Sequence, residues 1–137
     1  MSFLDSAPDD PQRVRALKYF LIATLAVGAL AAAMARPLPV AIAPWLITPL
    51  WTLTYGLMAV AGWLAWKRAG LRSPAMTGFA VQLAFNLVWR AWPVPLLGAA
   101  MDLAMLATLI LFAWRNWLAA LTFLPCLAWS VFVSLRL

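Results

Sequence analysis

Apolar and polar positions alternate along the chain on the scale of whole segments: five apolar runs are separated by short clusters of proline and basic residues. The longest run, Trp45 to Trp66, holds 22 residues without a charge and stops at Lys67 and Arg68. At about 1.5 Å per residue, such a helix covers the ~30 Å hydrocarbon core of a bilayer. An earlier run, Tyr19 to Ala35, lies between Lys18 and Arg36. A third begins at Ser73-Pro74, a capping residue followed by proline at the first helical position, and extends to Trp89. The fourth ends at Trp114-Arg115-Asn116, and the fifth carries Pro125 in its interior. Between them, Arg36 to Pro44 holds three prolines and predicts an extended link, and residues 91–98 predict a proline-rich turn. Residues 1–18 predict a polar tail with a short interfacial helix after Pro11. The pattern therefore predicts an all-α integral membrane protein, a bundle of five transmembrane helices at about 19–35, 45–66, 74–89, 99–114 and 117–135.

Composition strengthens this reading. The chain is 66% hydrophobic and 10% charged, with a mean hydropathy of +0.93, whereas soluble domains are about 25% charged. Its surface must therefore face the lipid bilayer. A net charge of +6 would suggest nucleic acid in a soluble protein, but here the basic residues flank apolar runs, so no nucleic-acid partner is expected. Arg13, Arg15, Lys18, Lys67, Arg68, Arg72 and Arg115 fall on the side of the N-terminus, and Arg36, Arg90 and Arg136 on the other. The positive-inside rule then puts the N-terminus in the cytoplasm and the C-terminus outside. The Ala33-Met34-Ala35 triplet after a basic segment also resembles a secretory cleavage site. Three upstream Asp and a long apolar run favour a retained helix instead. There is no His, and Cys126 is the one Cys, which excludes an intrachain disulfide, imidazole chemistry and a His/Cys metal site.

Polar and aromatic residues inside the runs are the candidate chemistry. Trp45, Trp63 and Trp66 lie near run ends, as interfacial residues do. Trp51, Tyr55, Met58 and Gly62 share one stripe of the second helix, where Trp51 and Tyr55 either pack in the core or touch a ligand. Gln82, Asn86 and Trp89 share a face of the third, and amides there will bond to other helices or line a cavity. Asp102 lies about a turn inside the fourth, on the side of Arg90. The two could form a structural ion pair; a charge at a helix start, or a ligand or proton role for Asp102, are the alternatives. Thr24, Gly28 and Ala32 form a small-residue ridge for close helix approach.

Trp45 to Met58 (WLITPLWTLTYGLM), Gln82 to Trp89 (QLAFNLVW), Met101-Asp102-Leu103 and Pro125 to Trp129 (PCLAW) occur in that order. Together they resemble the signatures of the translocator protein or tryptophan-rich sensory protein family, also called the peripheral-type benzodiazepine receptors. The resemblance implies a five-helix bundle with a pocket opening toward the link between helices 1 and 2. It also implies a porphyrin ligand, protoporphyrin IX or haem-like, and a homodimer; association with a larger membrane complex is the alternative if the pocket is degenerate. By position, the ligand-binding residues would be Trp51, Tyr55, Gln82, Asn86, Trp89 and Trp129. A flat, apolar macrocycle can stack on Trp rings and be oriented by amides. The chain departs from the family pattern in its short link at 36–44, in Arg90-Ala91-Trp92-Pro93 after Trp89, in Cys126 where Tyr is usual and in Arg136 where Asn is usual. The short link implies a more open pocket, and no cholesterol binding is expected.

Three classes of function follow: a receptor, sensor or carrier for a tetrapyrrole; a structural or regulatory subunit with a degenerate pocket; and a light-dependent porphyrin-degrading enzyme, as the resemblance allows. The sequence offers no acid–base pair, metal cluster or activated nucleophile, so the enzyme ranks last and no required cofactor is expected.

Overall fold

The computed structural model describes residues 10–34, 44–70 and 72–135, arranged as α1 (Asp10–Met34), α2 (Pro44–Ala69), α3 (Pro74–Ala91), α4 (Pro95–Arg115) and α5 (Trp117–Ser134). Most of the predicted link at 36–44, residues 1–9 of the tail and Arg136 lie outside the described residues. The helices form a closed ring in the order α1, α2, α5, α4, α3 and back to α1. The run that dominates the sequence, α2, touches all four other helices. Four helices are long and apolar enough to cross a membrane; α3, with its amides and Arg90, is the exception. At 18 residues it spans about 27 Å, and it puts Gln82, Asn86, Trp89 and Arg90 inward. The all-α membrane bundle expected from the sequence is the architecture found.

The boundaries shift for identifiable reasons. The predicted tail is helical from Asp10 and continuous with the first span, so there is no separate interfacial helix. Helix α4 starts at Pro95 rather than 99, because proline lacks only an N–H that the first helical turn leaves unpaired anyway. Helix α2 continues to Ala69 and stops at Gly70, whose φ of 81° suits a residue without a Cβ. Ser73 caps α3, its Oγ accepting from the Met76 N–H at 3.3 Å and donating to the Gly70 carbonyl at 2.9 Å. Asn116 ends α4 and caps α5. Its Oδ1 accepts from the Leu118 N–H at 3.1 Å, and its Nδ2 donates to the Leu64 carbonyl of α2 at 3.0 Å.

The lipid face is apolar, and polar groups on it are satisfied locally. Thr52 and Thr122 donate their hydroxyls to the carbonyls four residues back, at 2.8 Å. Exposed Trp45 and Trp92 mark one end of the bundle and exposed Trp114 and Trp117 the other, as interfacial belts do. Trp66 does not belong to them. Expected at the interface, it is buried against Phe20 with ring centroids 5.9 Å apart. Trp63 is half-buried beneath the Lys67 ammonium.

The interior divides along its length. Phe20, Trp66, Phe79, Phe112 and Phe123 interlock at the end nearer the N-terminus, Phe112 and Phe123 edge to face at 5.4 Å. The Phe side chains there bring no polar atom. The opposite half gathers Trp51, Tyr55, Trp89, Arg90 and Trp129, aromatics with a polar handle and one cation. That is where the small-residue ridge of α1 meets α2: a Cβ on Gly28 would lie 2.7 Å from the Tyr55 ring. Thr24 is buried on the same helix, whereas Ala32 is exposed to the cavity described next.

Candidate functional site

Helix α2 positions the centre of the site. Pro49 lacks the N–H that would bond to the Trp45 carbonyl, and two residues on Trp51 turns inward. Its indole lies 6.0 Å from the Tyr55 ring, 6.4 Å from Trp89 and 5.8 Å from Trp129, the last edge to face. Above it sits Arg90, the guanidinium carbon 4.4 Å from the ring centroid. A cation over an indole face gains about 0.5–2 kcal/mol, the more so when desolvated.

Against this group lies a cavity of about 280 Å³ between α1 and α2. Leu25, Gly28, Ala29 and Ala32 of α1 form one wall; Ile47, Thr48, Trp51, Thr52 and Tyr55 of α2 form the other, and Arg90 closes it. The small residues of α1 make the room. The cavity lies at the end of the bundle where α1 finishes and α2 begins.

Each of the six residues expected to bind ligand carries a buried polar atom without a hydrogen-bond partner: Trp51 Nε1, Tyr55 Oη, Gln82 Nε2, Asn86 Oδ1, Trp89 Nε1 and Trp129 Nε1. Arg90 Nε is a seventh, and Thr24 Oγ1 completes the set among the described residues. Unpaired buried polar atoms are rare and costly in ordinary cores. Five of the eight, on Trp51, Tyr55, Trp89, Arg90 and Trp129, lie in the half opposite the Phe cluster.

The six are nonetheless not one surface. Only Trp51 and Tyr55 line the cavity. Trp89 and Trp129 pack on Trp51 without reaching it, and the Trp89 indole lies against Gly98, where an added Cβ would be 3.0 Å from Nε1. Gln82 and Asn86, both fully buried, sit between α3 and α4. Asn86 Nδ2 donates to the Gln82 carbonyl at 2.8 Å and to Gln82 Oε1 at 3.0 Å, with Met105 Sδ at 3.9 Å. Their amide pair is thus largely internal to α3.

The expected Arg90–Asp102 ion pair does not form. Asp102 instead accepts the Ser130 hydroxyl at 2.8 Å and the Ser134 hydroxyl in a shorter bond, which ties α4 to α5. Arg90 is turned to Trp51 on the other side. The two serines sit one turn apart on α5, a spacing visible in the sequence, but their partner was not. Arg90 as a lining residue was equally hidden, because a basic residue at a run's end reads as a topology marker. Cys126 lies where α5 meets α2, its thiol donating to the Thr54 carbonyl at 3.3 Å. Among the described residues no group of His, Cys, Asp or Glu could hold a metal ion.

The family model described as TspO/MBR family matches residues 19–136, all five helices. The chain belongs to the TspO/MBR family. It is similar to the tryptophan-rich protein TspO of Archaeoglobus fulgidus, 31% identical in a 99-residue alignment that covers 66% of this chain and 64% of that protein. The match thus spans just under two thirds of that relative's length. The family and the apolar helices together make the protein an integral, multi-pass membrane protein.

Proposed function

We propose that this TspO/MBR protein is a membrane receptor or sensor that binds a flat, largely apolar, porphyrin-like ligand against Trp51 at the α1–α2 cavity. The observation that carries the reading is the cluster of unpartnered buried donors, Trp51 Nε1, Tyr55 Oη and Arg90 Nε, beside a cavity otherwise lined mainly by apolar groups. Ligand sites in general are apolar concavities with a few placed polar groups. Stacking on the Trp51 indole supplies area, and the donors supply orientation.

The cavity's size supports a second reading. At about 280 Å³ it falls just below the ~300–1,000 Å³ range of small-molecule sites, and a tetrapyrrole would have to part α1 from α2 to enter fully. A structural or regulatory subunit of a larger complex would need no such opening. Binding in the micromolar range is therefore expected, because part of the binding free energy goes into rearrangement. Titrating the purified chain with a porphyrin panel, following Trp quenching and porphyrin emission together, tests the choice. Absence of saturable binding at tens of micromolar would leave the structural-subunit reading.

A further inference from the structure

Among the described residues Arg90 is the one cation in this half of the bundle, and it is 7% exposed. Its guanidinium lies over the Trp51 ring and its Nε has no partner. The one acid after Asp10, Asp102, is taken by Ser130 and Ser134. Among the described residues Arg90 has no counter-ion, and a buried guanidinium so placed is costly in any protein and more so in a membrane, where a cation–π contact offsets only part of that cost. Arg90 also lines the cavity, beside walls of Leu25, Ala29 and Ile47. One end of the cavity is thus cationic and its body apolar.

We infer that the cavity takes an amphipathic carboxylate, the apolar body lying between α1 and α2 against Trp51 and the carboxylate on Arg90. The guanidinium presents a planar fork of N–H donors matched to the two carboxylate oxygens. Lysine at this position would keep the charge and lose the fork. Tyr55 Oη, also unpartnered and lining the same cavity, is a further donor to the head group. The inference rests on the cavity being a ligand site and narrows its ligand to molecules with a carboxylate head. A tetrapyrrole with free acid side chains and a long-chain fatty acid from the bilayer are the two sources of that chemistry.

The test compares acids with their methyl esters on the full-length chain in neutral detergent, using a dicarboxylic porphyrin and an anthroyloxy-labelled fatty acid. For the wild type, esterification should weaken binding about tenfold or more for whichever acid binds, the scale of a charge-assisted hydrogen-bond pair. In Arg90→Gln the acid and the ester should bind alike, and Arg90→Lys should fall between. The ester comparison needs no variant, so it stands even where Arg90→Gln folds poorly. Equal binding of acid and ester by the wild type overturns the inference and leaves the porphyrin reading intact. Binding of the fatty acid but not the porphyrin, with Arg90 dependence, upholds the inference and removes the tetrapyrrole. Saturable binding of neither acid overturns both.

Discussion

Gly28 of α1 lies directly under the Tyr55 ring of α2, so close that a single added methyl would approach Cδ2 to 2.7 Å and Cγ to 2.9 Å. Contacts that short require a shift, and here the atoms in the way belong to a ring packed against Trp51. Gly28→Ala should therefore lower stability by about 1–3 kcal/mol, the usual cost of overpacking, and Gly28→Leu by more. Thermal unfolding in detergent measures it. An unchanged midpoint for both variants would mean that α1 does not dock on Tyr55. Ala29→Ser, on the cavity side of the same helix, should be nearly neutral.

The Asp102 carboxylate holds α4 to α5 through Ser130 and Ser134. Ser130 is fully buried and Ser134 is half-buried, so the two bonds should not be equal. Hydrogen bonds between membrane helices average about 0.6 kcal/mol, with a maximum near 1.7. Ser130→Ala should fall toward the upper end of that range and Ser134→Ala toward the lower, where water can reach the carboxylate. A double-mutant cycle with Asp102→Asn checks whether the losses couple. Additive losses would mean that the serines act independently of Asp102.

Much of the fold was legible because periodicity and breakers acted locally. Ser73-Pro74 fixed the start of α3, and Asn116 sits at the predicted α4–α5 junction. What escaped was decided by tertiary contact. Arg90 and Asp102 do lie at the same end of the bundle, but the serines of α5 and the ring of Trp51 are nearer partners than either is to the other. Trp66 looked interfacial from its position at the end of a run; it is buried against Phe20, itself packed on Phe79. The six aromatic and amide residues singled out in the sequence all have unpartnered polar atoms in the interior, but only Trp51 and Tyr55 line the cavity. The cavity was not legible, because it is made by the small side chains of α1.

Asn116 joins three elements: its side chain caps α5 at Leu118 and reaches the Leu64 carbonyl of α2, and its backbone N–H donates to the Phe112 carbonyl of α4. Asn116→Ala loses both side-chain contacts and should cost about 1–2 kcal/mol, the range of a lost N-cap. Asn116→Asp should recover the cap while losing the donor to Leu64, and so fall between. Equal loss in the two variants would assign the whole effect to the α2 contact.

The charge distribution predicts an orientation. Arg15, Lys18, Lys67, Arg68, Arg72 and Arg115 cluster at the end bearing the Phe residues, and Arg90 at the other end is buried rather than in a loop. The bias toward one side is therefore stronger than residue counting suggests, and the N-terminus should be cytoplasmic with the C-terminus external. Paired reporter fusions at the two ends test it. Activity on the same side for both would contradict five crossings, and the reverse pair would invert the orientation.

Trp51 and Asn86 separate binding from packing. Trp51 borders the cavity, carries Arg90 on its face and has a free indole N–H. Asn86 does not line the cavity, and its amide hydrogens go to Gln82 within α3. Trp51→Phe keeps an aromatic but removes stacking area and the donor, so it should weaken porphyrin affinity several-fold with a modest loss of stability. Asn86→Ala should show the opposite balance: a stability loss of about 0.6–2 kcal/mol and nearly unchanged affinity. Porphyrin emission is the readout, since Trp51→Phe also removes a fluorophore. If Asn86→Ala instead abolishes binding while Trp51→Phe does not, the ligand lies between α3 and α4, and the cavity at α1 and α2 is not its seat.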